Sequence, residues 1–372
     1  MLLALSAAAL AASLVTPREQ DLPEFRADVR VIRLDVSVVD GSGRPISGLS
    51  PEHFTVLEDG RPVEITYFEA VDAHGGLVTA AESAVSVAPP PRRVLLLVDT
   101  ARMTMSQLIR ARQSTARYLH DGAGEGDWVR LVNLSTGSAW DGRIPQDRQR
   151  LEAAALALER RGSFRADLGG NEEVGWLDRP IQDRVEIDAG PASASEGQTS
   201  GQFLSAFAQS AGLLGVLESV LVQLAGVEGR KALVLISPGF PQLFGLDQSL
   251  QRVATLARQA ATAVYYVDSM GLDGLVPEPG RALAPAFEGA WRRSGGAQDL
   301  AEATGGFTFR FYNSLAPALE RVSAEMQTYY VVGYVPRRPE DGRFRSVKVK
   351  VGVRGASART KKGYLAGVRP RR

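Results

Sequence analysis

Hydrophobic and polar residues alternate along the first part of the chain. Residues 29–39 alternate at a period of two, as expected of a strand with one buried face. Short strands are also predicted at residues 54–58 and 63–68, and Asp59-Gly60 between them suits a tight hairpin. Residues 25–72 therefore predict a small sheet, which needs a covering partner to be stable.

In the middle of the chain, residues 92–327, apolar strands alternate with helices. The continuous apolar run at residues 94–98 is typical of a strand buried on both faces. This alternation predicts a doubly wound, mostly parallel α/β sheet that binds ligands at the carboxyl ends of its strands. Further strands are predicted at residues 128–134, 232–237, 263–268 and 307–311, and helices at residues 106–120, 147–161, 203–225, 248–261 and 314–327.

Two segments interrupt this pattern. Residues 162–201 are poor in periodic apolar positions, and a loop of this length is either functional or disordered. We interpret it as a mostly disordered insertion. A shorter interruption is predicted at residues 271–296, followed by a turn at residues 300–304.

Alternating strands return in residues 328–366. Lysines 348 and 350 alternate with valines, which predicts a half-buried strand and not a basic tail for nucleic acid or a membrane. Together with residues 25–72, this segment predicts one Ig-like β-sandwich interrupted by the α/β domain, since the termini of such a domain can lie close together. Two separate small sheets are the alternative.

The amino terminus favours export. Residues 1–15 form a short apolar run with small residues at signal-peptidase spacing, although no basic residue precedes it; a cytoplasmic protein is the alternative. No other run approaches the roughly 18 apolar residues of a membrane span. The 43 basic residues nearly balance 42 acidic ones, so no global field recruits nucleic acid, and the lack of cysteine excludes disulfides and thiolate sites.

Catalytic signatures are missing from the sequence. The three histidines, His53, His74 and His120, fall on a predicted sheet, a linker and a helix end. The chain contains no nucleophile elbow, zinc-protease motif or phosphate-binding loop. We therefore predict that the protein is not an enzyme.

Seven segments carry a family resemblance: residues 36–60, 126–129, 229–241, 264–272, 300–306, 329–336 and 361–364. Taken in order, they resemble the von Willebrand factor A-like proteins of bacteria, particularly the subgroup abundant in acidobacteria. The resemblance covers the chain nearly end to end, and its order and spacing carry more weight than any one motif. It implies an adhesion-type α/β domain whose apical loops can hold Mg²⁺ or another divalent ion and thereby bind protein partners.

The ion-binding pattern that this resemblance implies is incomplete here. Asp99 matches the opening aspartate, but Ala101 and Met103 replace two serines and Pro238 replaces a second aspartate. No threonine appears near residues 145–147, where the second loop of the family offers one. We therefore expect no metal ion or other cofactor, and we expect Asp99 to cap the turn by accepting backbone N–H bonds.

We predict an exported, non-enzymatic protein-binding module that engages its partner through the apical loops. The alternatives are a metal-dependent adhesin with Mg²⁺ held by unusual ligands and a structural subunit of the cell envelope. Met103 in place of a serine is interpreted as an adaptable apolar contact. The predicted partner-binding residues are Thr100, Arg102, Met103, Met105, Ser237, Phe240 and Phe244.

Overall fold

Three β-sheets organise the protein in the computed structural model: a central, mostly parallel sheet and two antiparallel sheets. The structure describes residues 31–72, 77–80, 92–161, 198–227, 229–243, 245–272 and 283–367. The signal-like segment, residues 1–15, and all but the last four residues of the predicted insertion 162–201 lie outside the described residues.

The central sheet has six strands in the order β11-β10-β9-β6-β7-β8. All neighbours run parallel except the edge pair β7 and β8. The expected mixed α/β fold with a mostly parallel sheet is therefore confirmed. The strands are β6 (Arg93–Val98), β7 (Trp128–Asn133), β8 (Ala139–Arg143), β9 (Lys231–Ser237), β10 (Thr262–Asp268) and β11 (Thr308–Phe309).

Helices cover both faces of this sheet, which explains the continuous apolar strands. One buried core contains Leu95 and Leu97 of β6 with side chains of α3, α4 and α5. The other contains Val94, Leu96 and Val98 with side chains of α1, α2 and α6. The helices are α1 (Met105–Arg117), α2 (Arg148–Leu156), α3 (Gln198–Leu224), α4 (Asp247–Gln259), α5 (Leu283–Thr304) and α6 (Ala316–Gln327).

Some predicted elements were wrong. Residues 300–304, predicted as a turn, are the last residues of α5, which fills much of the predicted interruption at 271–296. Strand β8 was missed because its central residues are neither alternating nor strongly apolar. The predicted strand at 63–68 is two strands, β3 (Arg61–Val63) and β4 (Tyr67–Asp72).

The first antiparallel sheet joins the two ends of the described chain. In the order β14-β1-β12-β4-β5, β1 pairs with β12 in the register Ile32 to Tyr334. Its other strands flank this pair. The sheet consists of β1 (Ile32–Val39), β12 (Thr328–Tyr334), β14 (Ser357–Arg359), β4 and β5 (Leu77–Ala80).

The second antiparallel sheet has the order β15-β13-β2-β3 and also combines both ends of the chain. The predicted turn between β2 and β3 is confirmed, because Asp59 and Gly60 both have positive φ, at 47° and 79°. The predicted alternation in β13 is confirmed too, with lysines exposed and valines at the buried positions. Its strands are β2 (Phe54–Glu58), β3, β13 (Phe344–Val351) and β15 (Gly363–Leu365).

Residues of both antiparallel sheets share one hydrophobic core. Tyr330 of β12 belongs to this core, and its ring centroid lies 5.0 Å from that of Phe54 of β2 and 5.8 Å from that of Phe68 of β4. The Tyr330 hydroxyl donates to the carbonyl of Ile46 at 2.8 Å. Side chains of the two small sheets thus pack together in this core.

Helix α6 runs directly into β12 and so connects the central sheet to the flanking sheets. Arg230, just before β9, donates to the Ser37 hydroxyl at 2.7 Å and lies 4.0 Å above the Tyr329 ring. Within the described residues, Leu204–Leu224 of α3 is long and apolar enough to cross a membrane. Its leucines at 213, 214, 217, 221 and 224 are buried in the protein core.

Candidate functional site

The candidate site lies where the strand order of the central sheet reverses. β6 has β7 on one side and β9 on the other, and the chain leaves both β6 and β9 at the same edge. Asp99 follows β6 directly, and its N–H donates to the carbonyl of Ile236 in β9 at 2.9 Å. Ligands of doubly wound sheets bind in this position.

Asp99 is fully buried, and its carboxylate is paired with Arg102. The Arg102 Nε donates to Asp99 Oδ2 at 2.7 Å, and its Nη2 contacts the same oxygen. The Ser237 hydroxyl, at the end of β9, also donates to that oxygen at 2.8 Å. A charged guanidinium and a hydroxyl therefore compensate the desolvation of this carboxylate.

Arg102 also ties the loop after β6 to the loop after β9. Its Nη1 donates to the carbonyl of Gly239 at 2.8 Å, and its Nη2 donates to the Ser237 hydroxyl at 2.9 Å. The Gly239 N–H donates to the Ser237 hydroxyl at 3.0 Å. The crevice is thereby closed by an internal network of hydrogen bonds.

The predicted capping role of Asp99 is wrong. Asp99 stands at the N-cap position of a single 3-10 turn, Thr100–Arg102, but its side chain makes no cap bond. Its Oδ2 is bound to Arg102 and Ser237, and its Oδ1 has no hydrogen-bond partner in the described part of the chain. Arg102, three residues later in the chain, binds this carboxylate more strongly than the backbone N–H groups would, because its guanidinium carries a full charge.

A second polar network holds the neighbouring loop after β7. The Thr100 hydroxyl lies 2.7 Å from Asn133 Oδ1 and 2.7 Å from the Ser135 hydroxyl. Asn133 Nδ2 donates to the carbonyl of Glu159 at 2.8 Å. The sequence analysis did not identify Asn133 and Ser135 as site residues. The signal that could have found them is a pair of polar residues at the end of a buried strand. Thr100 is thus a structural residue and offers no surface to a partner.

Most of the predicted partner-binding side chains are buried, so the prediction that they form an apolar binding surface is wrong for them. Met103 and Phe240 are each 1% exposed, and they pack into the two opposite cores of the central sheet. Ser237 is fully buried as well. Phe244 lies outside the described residues. Of the replaced ligand positions, Ala101 and Pro238 are half-buried.

Two exposed apolar residues of this edge lie on the first turns of α1. Met105 is 59% exposed, and Ile109, four residues later on the same helix face, is 44% exposed. The helix also carries Arg110, Arg112 and Arg117 and no acidic residue. Arg110 and Arg112 are half-buried and donate to the carbonyls of Met270 and Leu158, so the exposed surface at the start of α1 is chiefly apolar.

Gly239 allows the loop after β9 to approach β10 closely. Its φ is +86°, and a Cβ there would lie 2.4 Å from the Tyr266 hydroxyl and 2.5 Å from the Ser294 Cβ. Burial raises the pKa of Tyr266 well above its usual value, so this hydroxyl stays protonated. Only glycine fits here without displacing either neighbour.

Comparisons with solved structures found distant similarities. No protein-family model matches the sequence, and no curated protein matches it. The structure is similar to a von Willebrand factor type A protein from Catenulispora acidiphila, with a TM-score of 0.37 and 10% identity over 92% of this chain and 75% of that chain. It is also similar to the N-terminal domain of TFIIH p34, with a TM-score of 0.25 and 14% identity over 64% of this chain and 96% of that one. A structural similarity this distant does not assign a function to the chain.

Proposed function

We propose that this protein is an exported, non-enzymatic binding module that engages a protein partner at the edge formed by the carboxyl ends of β6 and β9. In this proposal the edge works without a divalent cation and belongs to a von Willebrand factor A-like domain. The observation that carries the proposal is the pairing of the buried Asp99 carboxylate with Arg102 and Ser237.

The residues at this edge do not fit a divalent cation. Mg²⁺ takes about six oxygen ligands, and Ala101, Met103 and Pro238 offer no side-chain oxygen. The Arg102 guanidinium is bonded to the one carboxylate that a cation would need. Among the described side chains, no group of three or more histidine, aspartate or glutamate residues is placed to hold a metal ion. Arg102 thus supplies the positive charge at this position.

A partner would bind the α1 surface beside the crevice. Met105 and Ile109 form an exposed apolar pair, and apolar side chains surrounded by polar residues are typical of interface centres. Helix α1 carries no acidic residue, so acidic side chains of a partner would meet no like charge on this helix. In this proposal the α1 surface takes over the contact role that the sequence predicted for Met103 and Phe240, which are buried.

We further infer that the two antiparallel sheets form one sandwich interrupted by the α/β domain. Their shared core and the pairing of β1 with β12 support this inference. Export rests on the signal-like residues 1–15 of the sequence.

A non-enzymatic role agrees with the surroundings of the two described histidines. The His53 Nδ1 lies 2.9 Å from the Ser50 hydroxyl, and both residues cap a one-turn helix in a mutual box. His120 lies 3.1 Å from Glu152 on an exposed surface. The contact between Ser50 and His53 therefore stabilises local structure.

The proposal is tested by comparing partner capture from the native cell envelope. The full-length protein, a Met105→Glu/Ile109→Glu double variant and a Val222→Glu control are immobilised in parallel. Val222 is 56% exposed on α3, which covers the opposite face of the central sheet. We expect a specific protein to be captured by the wild type and by the control and lost from the double variant. Equal capture by all three proteins, or none, would contradict the proposal.

A further inference from the structure

The chain contains no cysteine, so its five methionines carry all of its sulfur. Peroxides and hypohalous acids oxidise an accessible thioether to the sulfoxide, and cysteine thiolates, which compete for the same oxidants, are missing from this sequence. The accessibility of each methionine therefore determines where such an oxidant reacts.

The four methionines that the structure describes differ sharply in exposure. Met103 and Met326 are each 1% exposed and belong to the same core of the central sheet. Met105 is 59% exposed, and Met270 is half-buried. Met103 and Met105 lie two residues apart, yet an oxidant in solvent reaches only the second of this pair.

Both accessible methionines lie at the edge of the central sheet that carries the α1 surface, Met105 and Ile109. Met105 is the first residue of α1. Met270 lies in the loop after β10, which runs parallel to β9, and Arg110 of α1 donates to the Met270 carbonyl at 3.2 Å. The accessible sulfur of the described residues is therefore concentrated where we propose that a partner binds.

The start of α1 is held by contacts that do not involve the Met105 thioether. The Gln107 N–H donates to the Thr104 hydroxyl at 3.3 Å, and the Thr104 N–H donates to Gln107 Oε1 at 3.1 Å. Leu108 packs into the core on the buried face of the helix. A chemical change at Met105 therefore alters the surface and leaves the helix in place.

We propose that Met105 is a site of reversible oxidation and that its sulfoxide prevents partner binding at the α1 surface, an inference that rests on the proposed function of that surface. The Met105 sulfur attacks one oxygen of hydrogen peroxide, so that an S–O bond forms as the O–O bond breaks. The departing hydroxide takes the proton from the new S–OH group and leaves as water. Sulfur is thus oxidised as peroxide is reduced, and a methionine sulfoxide reductase reverses the change with electrons from thiols.

The sulfoxide changes the chemistry of the contact. It replaces an adaptable apolar group by a polar one that accepts hydrogen bonds. Burying this oxygen against an apolar partner surface costs free energy unless the partner supplies a donor. Ile109 then remains as the apolar member of the pair, and the affinity for the partner falls although the fold is unchanged.

The first part of the test measures which methionine reacts. The full chain is treated with hydrogen peroxide, the excess is removed with catalase, and the tryptic peptides are analysed by mass spectrometry. Trypsin releases residues 103–110 as one peptide, so fragmentation compares Met103 and Met105 in the same molecule. We expect Met105 to react roughly tenfold faster than Met103 and Met326 in the folded chain and at the same rate in urea. Equal rates in the folded chain would overturn the proposal.

The second part measures the surface, with Met105→Leu as the matched control because leucine has a similar volume and does not react with peroxide. Hydrophobic-interaction chromatography and capture from the native cell envelope compare each protein before and after treatment. Treated wild type should elute earlier and capture roughly fivefold less partner, whereas Met105→Leu should be unchanged. Methionine sulfoxide reductase with dithiothreitol should restore capture by the wild type, and circular dichroism checks that every sample is folded.

The outcomes separate this inference from the proposed function. Equal capture by untreated and treated wild type would overturn the oxidation switch and leave the proposed function standing. An untreated wild type that captures no protein would contradict both, because there would be no binding to prevent. Loss of capture by treated Met105→Leu would assign the effect to another residue, such as Met270, and overturn the role of Met105.

Discussion

Asp99 shows how a single buried charge determines the structure around it. A carboxylate removed from water is costly unless charged or polar donors surround it, and here Arg102 and Ser237 provide them. The pair also fixes the loops after β6 and β9 relative to each other through Gly239. Arg102 therefore affects both stability and the shape of the candidate binding edge.

Removal of Arg102 should destabilise the fold. Arg102→Ala leaves the buried Asp99 carboxylate without its charged partner, and breaking a pair of this kind costs about 3 kcal/mol. Urea unfolding measures the loss, with Arg117→Ala as a control because that side chain is 66% exposed. A loss in Arg102→Ala no greater than the roughly 0.5 kcal/mol expected of a surface substitution would contradict this role.

Two neighbouring methionines should respond in opposite ways. Met103→Ala opens a cavity in the core and should lower the free energy of unfolding by about 2–5 kcal/mol. Met105→Ala should change it by less than about 0.5 kcal/mol, because Met105 is 59% exposed. Thermal or urea unfolding of both variants checks the contrast. Similar losses for both would mean that the first turn of α1 is placed differently.

Among the elements, those with a strong period were predictable from the sequence. The continuous run of β6 and the alternation of β13 each reflect burial that neighbouring residues already encode. Helix α5 was missed because Gly295 and Gly296 interrupt its pattern, and its placement depends on packing against β10 and α4. In α5, tertiary packing therefore outweighs the low helix propensity of these two glycines.

The candidate site was predictable only in its position. Asp99 at the end of a buried strand marked the edge, but Arg102 binds Gly239 and Ser237, more than 130 residues away. No local pattern reveals such a contact. The burial of Met103 and Phe240 likewise depends on how each loop folds back onto a core that distant segments build.

The start of α2 should contribute to the acid sensitivity of the protein. The Arg143 N–H donates to Asp147 at 2.8 Å, and this hydrogen bond holds the pKa of Asp147 below its usual value. A lowered pKa in the folded state means that the stabilisation is present above the unfolded pKa, about 3.9, and is lost as pH falls through the folded pKa.

Asp147→Asn removes this ionisation, so the variant should lose less stability than the wild type between about pH 4 and pH 2. Urea unfolding at a series of pH values measures the difference. Asp121→Asn, at an exposed position of the turn after α1, serves as a control. Identical acid dependence of Asp147→Asn and the wild type would show that Asp147 is not a source of the effect.

At the scale of the whole molecule, the flanking sheets and the central sheet are tied through covalent and polar links. Helix α6 continues into β12, and Arg359 of β14 contacts Glu325 of α6. Arg230 connects the segment before β9 to Ser37 of β1. These links predict that the described parts of the molecule unfold together.

Tryptophan fluorescence tests this coupling, because all four tryptophans lie within residues 92–327 and none lies in the flanking sheets. Tyr330→Ala opens a cavity in the core between those sheets and should cost about 3–5 kcal/mol. If unfolding is cooperative, the tryptophan transition in urea shifts to lower concentration by a matching amount. A tryptophan transition that does not move would mean that the α/β part unfolds independently.

The most direct measurement of the central claim is a calorimetric titration of the full-length protein with Mg²⁺, Ca²⁺ and Mn²⁺, combined with thermal unfolding in each ion. Because Arg102 is bonded to the Asp99 carboxylate, the wild type should release no binding heat and show no shift in Tm at millimolar ion. Saturable binding of one ion per chain that disappears in Asp99→Asn would contradict the account.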